Sequence, residues 1–199
     1  MKRHHREKIR HGVIFGAGFG FLVSGLFLLW AATLPMPDLK TFEERRVEQS
    51  TKLYDRTGEI LLYDLHQNVR RTVVPFGDIS RHLKNATIAI EDAEFYEHRG
   101  VKPTAIIRAI LVNLGTLNFS QGGSTITQQV VKNSILTPKK EISRKLKEWV
   151  LSVKLEGIIS KDEILGLYLN EAPYGGNLYG AEEASRAFFG KSAKDLSLV

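Results

Sequence analysis

The longest apolar run in the chain extends from Gly12 to Leu34, 23 residues without a charge. As a helix it would measure about 34 Å, enough to cross a hydrocarbon core of about 30 Å with modest tilt. It exceeds the roughly 7 to 15 apolar residues of a cleaved signal, and Ala31-Ala32-Thr33 makes a poor cleavage site. An uncleaved anchor over residues 12–34 is the expectation. Residues 35–50 carry two prolines and then alternating charge (FEERRVEQ), which predicts a stalk or spacer. From Thr51 to Val74 the β-favouring runs TKLYD, EILLYDL and VRRTVV are separated by Arg56-Thr57-Gly58 and His66-Gln67-Asn68. That spacing predicts a small antiparallel meander.

After Pro75 the apolar period becomes helical. Asp78 is the predicted cap of a helix reaching about Tyr96, with Gly100 beyond its end. Thr104, after Pro103, opens AIIRAILVNL, which ends at Gly115. Thr125 and Gln128 form a capping box for a helix to about Ile135, and Thr137-Pro138 starts a long one that ends at Gly157. Ser160 with Glu163 repeats the capping box and predicts a helix to about Asn170, followed by a short one over Ala181 to Phe189. The expected fold is mainly α, with a small antiparallel β segment at its start and one N-terminal transmembrane helix. The segment Ala105 to Phe119 has apolar residues all around a helix, as in a buried helix or one dipping into a bilayer surface.

Charge changes the picture at one end only. The chain carries 28 Lys and Arg against 22 Asp and Glu, a net +6, of which Lys2, Arg3, Arg6, Lys8 and Arg10 against Glu7 supply +4. A basic tail over residues 1–11 beside an apolar span is expected on the cytoplasmic side. The remainder is nearly balanced, which argues against a nucleic-acid partner. With no cysteine, disulfides and cysteine-based zinc sites are excluded.

Five segments carry candidate chemistry. EDAEFYEHRG (Glu91 to Gly100) sets two acids directly after the apolar run ATIAI, with an aromatic pair and His98 within two turns. Acids on a helix usually form a solvated face, but a carboxylate beside apolar walls and like charges can hold its proton from about 4.3 toward neutrality, as a general base requires. QGGSTITQQVVKN (Gln121 to Asn133) places paired glycines before a helix start, where backbone N–H groups can face an anion, with Lys132 two turns on. It lacks the Gly-Lys-Ser/Thr ending of a nucleotide-binding loop. RKLKEWVLSVKLE (Arg144 to Glu156) reads alone as an amphipathic helix with an i,i+4 ion pair. KDEILGLYLN (Lys161 to Asn170) and YGAEEASRAFFGK (Tyr179 to Lys191) look structural in isolation.

In this order and spacing the five resemble the signature set of the glycosyltransferases of class A penicillin-binding proteins and their monofunctional relatives, from about Thr51 to the end. One departure is Gly166, where that family usually places a glutamate. The resemblance implies a lysozyme-like helical fold with a cleft at the outer surface of the bacterial cytoplasmic membrane. It implies that lipid II is polymerised: Glu91 takes the proton from the acceptor GlcNAc 4-hydroxyl, which attacks the anomeric carbon of an undecaprenyl-pyrophosphate-linked glycan with inversion. Lys132, Arg144 and Lys145 match the phosphate-contacting positions. Glu148 matches a second essential acid, which orients those cations or binds a divalent metal, magnesium or manganese, at the pyrophosphate. Asp92, Phe95, His98, Arg108, Ser124, Thr125, Gln128, Gln129 and Asn133 would line or support the cleft. Partners implied are lipid II, the growing glycan, the membrane, and cell-wall synthesis or division proteins. The competing readings are a lytic enzyme of lysozyme type and a non-enzymatic membrane scaffold. No Ser-x-x-Lys occurs, so a transpeptidase, if present, is expected beyond Val199.

Overall fold

The computed structural model describes residues 2–36, 51–65, 69–105, 108, 123–136 and 142–198. It falls into two compact units, Met1–Pro35 and Met36–Val199. The first is a single helix, α1 (Lys2–Thr33), so the basic tail continues the same helix as the apolar run. Within it Arg10–Thr33 is long and apolar enough to cross a membrane. The 35–50 stalk lies outside the described residues from residue 37 onward.

In the second unit, β1 (Thr51–Tyr54) and β2 (Leu61–Leu65) form an antiparallel hairpin. Its turn is fixed by Asp55, whose carboxylate accepts from Thr57 Oγ1 at 2.8 Å and from the Glu59 and Ile60 amides at 3.2 Å. Gly58, with φ +79°, supplies the left-handed step that other residues adopt at a cost. The predicted meander stops there. The third β-favouring run instead gives β3 (Arg70–Arg71), which pairs in parallel with β4 (Leu178–Tyr179) near the other end of the chain. Arg71 also stacks its guanidinium 5.0 Å from the Tyr179 ring centroid.

The helices are α2 (Arg81–Glu91), α3 (Ile126–Ser134), α4 (Ile142–Glu156), α5 (Lys161–Glu171) and α6 (Ala181–Phe189). Both predicted capping boxes form. Thr125 Oγ1 accepts from the Gln128 amide at 3.1 Å while Gln128 Oε1 accepts from the Thr125 amide at 2.9 Å. Ser160 and Glu163 make the same exchange at the start of α5. The cap of α2 differs from expectation. Asp78 belongs to a 3-10 turn (Phe76–Asp78) and pairs with Lys194, and Ser80 caps the helix through the His82 amide. Nor does α2 reach Tyr96. Asp92 leaves helical geometry at φ −160°, ψ 76° because its carboxylate is drawn elsewhere. Of the predicted helix after Pro103, only residues 103–105 and 108 are described, all helical; the Ala105–Phe119 expectation, Leu114 and Leu117 included, otherwise lies outside the described residues.

The core forms where α3 packs against α4 and α5. Ile126, Val130 and Val131 of α3 meet a buried set that includes Leu151 and Leu155 of α4 and Ile164, Leu165 and Leu169 of α5. Two stitches tie the β segments to this core. Asn170 brackets Val74, accepting from its amide and donating to its carbonyl, both at 3.0 Å. Glu183, buried in the first turn of α6, takes Lys52 of β1 and Thr72 as hydrogen-bond donors and Arg70 as a further charge at 3.6 Å.

Candidate active site

The first motif ends α2 and turns back on itself. Glu91 is the last residue of the helix and is exposed. Asp92, by contrast, is buried, and its Oδ2 accepts from the Ile126 amide at 3.2 Å and meets His98 Nε2 at 2.8 Å. One carboxylate oxygen thus joins the end of α2 to the first free amide of α3, where a helix start favours negative charge. Phe95 is fully buried, edge-on to His98, with the Lys161 ammonium 4.5 Å from its ring centroid. At the end of the motif, Gly100 has φ +80°, and a Cβ there would lie 2.6 Å from the Ser152 carbonyl oxygen of α4. Only glycine fits that contact. The Gly100 carbonyl in turn accepts from Thr125 Oγ1 at 2.6 Å.

The second motif is thereby locked to the first at two points, and its next turn delivers Gln129. The Gln129 Nε2 donates to Glu91 Oε2 at 2.7 Å. Gln128 is fully buried in its capping role, so it supports the cleft from behind. Lys132 and Asn133 are exposed further along α3.

On α4, Glu148 is only 2% exposed and pairs with Lys145, an i,i+3 contact in place of the i,i+4 pair expected for this helix. A buried carboxylate is tolerated only when paired. Lys145 also donates to Ser124 Oγ at 2.8 Å. Arg144, its chain neighbour, is half-buried.

An open cleft of about 330 Å³ is lined by Glu91, Asp92, Glu94, Lys102, Arg108 and Ser124 among others. Glu91 and Ser124 both line it, and Ser124 is the residue whose hydroxyl accepts from the Lys145 ammonium. The sequence pattern anticipated a Glu91 enclosed by apolar walls; the carboxylates withdrawn from water are those of its neighbour Asp92 and of Glu148 instead.

Four residues of this region escaped the sequence reading. Lys102 lines the cleft in an ion pair with Glu94 at 2.7 Å. Tyr168 and Tyr174 lie within the field of Glu91. Burial pushes the Tyr168 hydroxyl up to about 12, and the nearby charges of Glu91 and Tyr174 add to it. Tyr174 is raised by burial and then by Glu91. Tyr168 was visible within the fourth motif, but an aromatic on an apolar helix face reads as core.

Among the described residues no three His, Asp or Glu side chains gather as a metal cluster. Magnesium is held by one or two carboxylates together with substrate phosphates; of the buried carboxylates here, Glu148 is paired with Lys145, and Asp92 with His98 and the Ile126 amide.

Comparison with known proteins points to one family. A family model described as Transglycosylase matches residues 58–199. The chain is 39% identical over 191 residues to penicillin-binding protein 1A of Clostridium botulinum (strain Langeland), covering 94% of the chain and 22% of that protein. It is 38% identical over 185 residues to penicillin-binding protein 1A of Aquifex aeolicus, covering 93% and 25%. The protein of the same name from Escherichia coli K12 is 39% identical over 163 residues, covering 82% and 19%. The chain thus spans about a fifth to a quarter of the length of these relatives.

Proposed function

The chain belongs to the transglycosylase family, and from that premise we propose that it is a peptidoglycan glycosyltransferase that polymerises lipid II at the outer face of the bacterial cytoplasmic membrane. The donor is a glycan carried on undecaprenyl pyrophosphate. Glu91 takes the proton of the acceptor GlcNAc 4-hydroxyl. The freed oxygen bonds to the anomeric carbon of the donor MurNAc from the face opposite the pyrophosphate, and the carbon–oxygen bond to that group breaks, so the configuration inverts. The pyrophosphate lipid departs with the electron pair, and its charge is met by Lys145, with Lys132, Arg144 and Arg108 as further cations. Glu148 holds Lys145 in place.

The observation that carries this reading is the shared cleft, lined both by the exposed Glu91 and by Ser124, whose hydroxyl accepts from Lys145. A lytic enzyme of lysozyme type cuts a bond with no pyrophosphate to neutralise, and the cation set would have no task. A scaffold would need neither group. The test is polymerisation of labelled lipid II by the full chain in detergent. Glu91→Gln is expected to lower turnover by about 10² to 10⁴ while leaving the melting temperature unchanged, as loss of a general base does. Activity within threefold of the parent would overturn the assignment. Shortening of preformed glycan would favour the lytic reading.

A further inference from the structure

We infer that Gln129 is a positioning residue for Glu91, acting on the reaction through that carboxylate rather than through substrate. The inference rests on the reading of Glu91 as the base. An exposed glutamate at the end of a helix would exchange among staggered rotamers about its free side-chain bonds. Here the amide of Gln129 donates to Glu91 Oε2 at 2.7 Å, and no described residue hydrogen-bonds to Oε1. One oxygen is held, and the other is left to accept a proton. The donor is itself fixed. Gln129 follows directly on the capping box, and its backbone amide donates to the Thr125 carbonyl at 3.0 Å. The start of α3 is tied to the residue after Glu91 by the Ile126 amide on Asp92, and to the end of the same motif by Thr125 on the Gly100 carbonyl. Base and orienting amide therefore belong to one hydrogen-bonded frame. A surface Gln–Glu pair formed by chance would have no such frame behind it. The resemblance implies a substrate contact for Gln129, whereas one of its two amide N–H donors is engaged by the protein's own carboxylate.

The experiment is a double-mutant cycle on the full chain, measuring kcat, KM and melting temperature with labelled lipid II. Gln129→Met keeps the shape and removes the donor. It is expected to lower kcat on the order of 10- to 100-fold, as misplacement of a reacting group does, with KM within threefold and melting unchanged. On a Glu91→Gln background the same change is expected to cost nothing further, because the two residues act as one unit. A raised KM with kcat preserved, or equal losses on both backgrounds, would overturn the inference. Should Gln129→Met fail to fold, the isosteric Gln129→Glu decides. It sets two carboxylates together, which share a proton, so the acid limb of the rate profile moves to higher pH; an unmoved limb counts against the inference. A fully active Glu91→Gln parent would instead sink the base reading itself, whatever Gln129 does.

Discussion

Gly166 lies in the middle of α5, where a glycine costs about 1 kcal/mol relative to alanine. Phe76 sits opposite: a Cβ at this position would meet its Cδ2 at 3.4 Å and its Cβ at 3.6 Å. Those are ordinary contact distances, so alanine fits and anything longer must displace the ring. Gly166→Ala is expected to raise the melting temperature by about 2 to 4 °C, and Gly166→Glu, the residue the resemblance leads one to expect, to lower it. A Gly166→Glu protein melting at or above the parent would show that Phe76 is free to move aside. At this scale the sequence singled out candidates without giving their environment. Glu91, Lys145 and Glu148 were legible as candidates from their motifs. That Glu91 is exposed and Glu148 enclosed was not, because burial depends on which helix packs over which, and α4 meets the first motif through the close approach at Gly100.

Among the elements, those closed by local bonds were legible and those closed by distant ones were not. The two capping boxes link residues three apart, so the sequence places them. β3 finds its partner in β4, and the hairpin is anchored on α6 through Glu183; neither pairing leaves a periodic trace. The Glu183 anchor has a consequence for pH. Burial pushes its carboxyl up, but the hydrogen bonds from Lys52 and Thr72 and the charges of Lys52 and Arg70 outweigh this and hold it below the usual 4.5. A carboxyl depressed on folding contributes stability that is present above its unfolded value and is lost as pH falls through the folded one. Unfolding by urea should therefore show stability declining below about pH 4.5. Glu183→Gln leaves the Lys52 ammonium without its partner and is expected to cost about 3 kcal/mol at pH 7. Because the parent loses this contribution in acid, the gap between the two proteins should narrow as pH falls. A gap independent of pH would mean that the carboxylate charge is not what anchors the hairpin.

For the whole molecule the outstanding question is where α1 resides. Phe15, Phe19, Phe21, Leu22 and Leu28 are all more than half exposed on this helix. Each fully buried side chain of that size is worth about 1.5 to 3 kcal/mol, so an apolar surface of this extent is far larger than a water-facing helix sustains. Lipid is the environment that removes it, and a charged residue at the centre of such a span costs about 2.5 to 3.5 kcal/mol. The chain is therefore expected to stay with the membrane through an alkaline carbonate wash, and Leu22→Arg with Leu26→Arg to release it. The basic residues before the span are expected to hold the N-terminus in the cytoplasm, and the cleft would then face outside, where the proposed polymerisation takes place. The absence of native cysteine makes that orientation measurable with single substitutions. Glu59→Cys, on the exposed turn of the hairpin, should react with an impermeant maleimide in intact spheroplasts, and His4→Cys only after lysis. The reverse pattern would place the cleft in the cytoplasm and remove the setting that the proposed reaction requires.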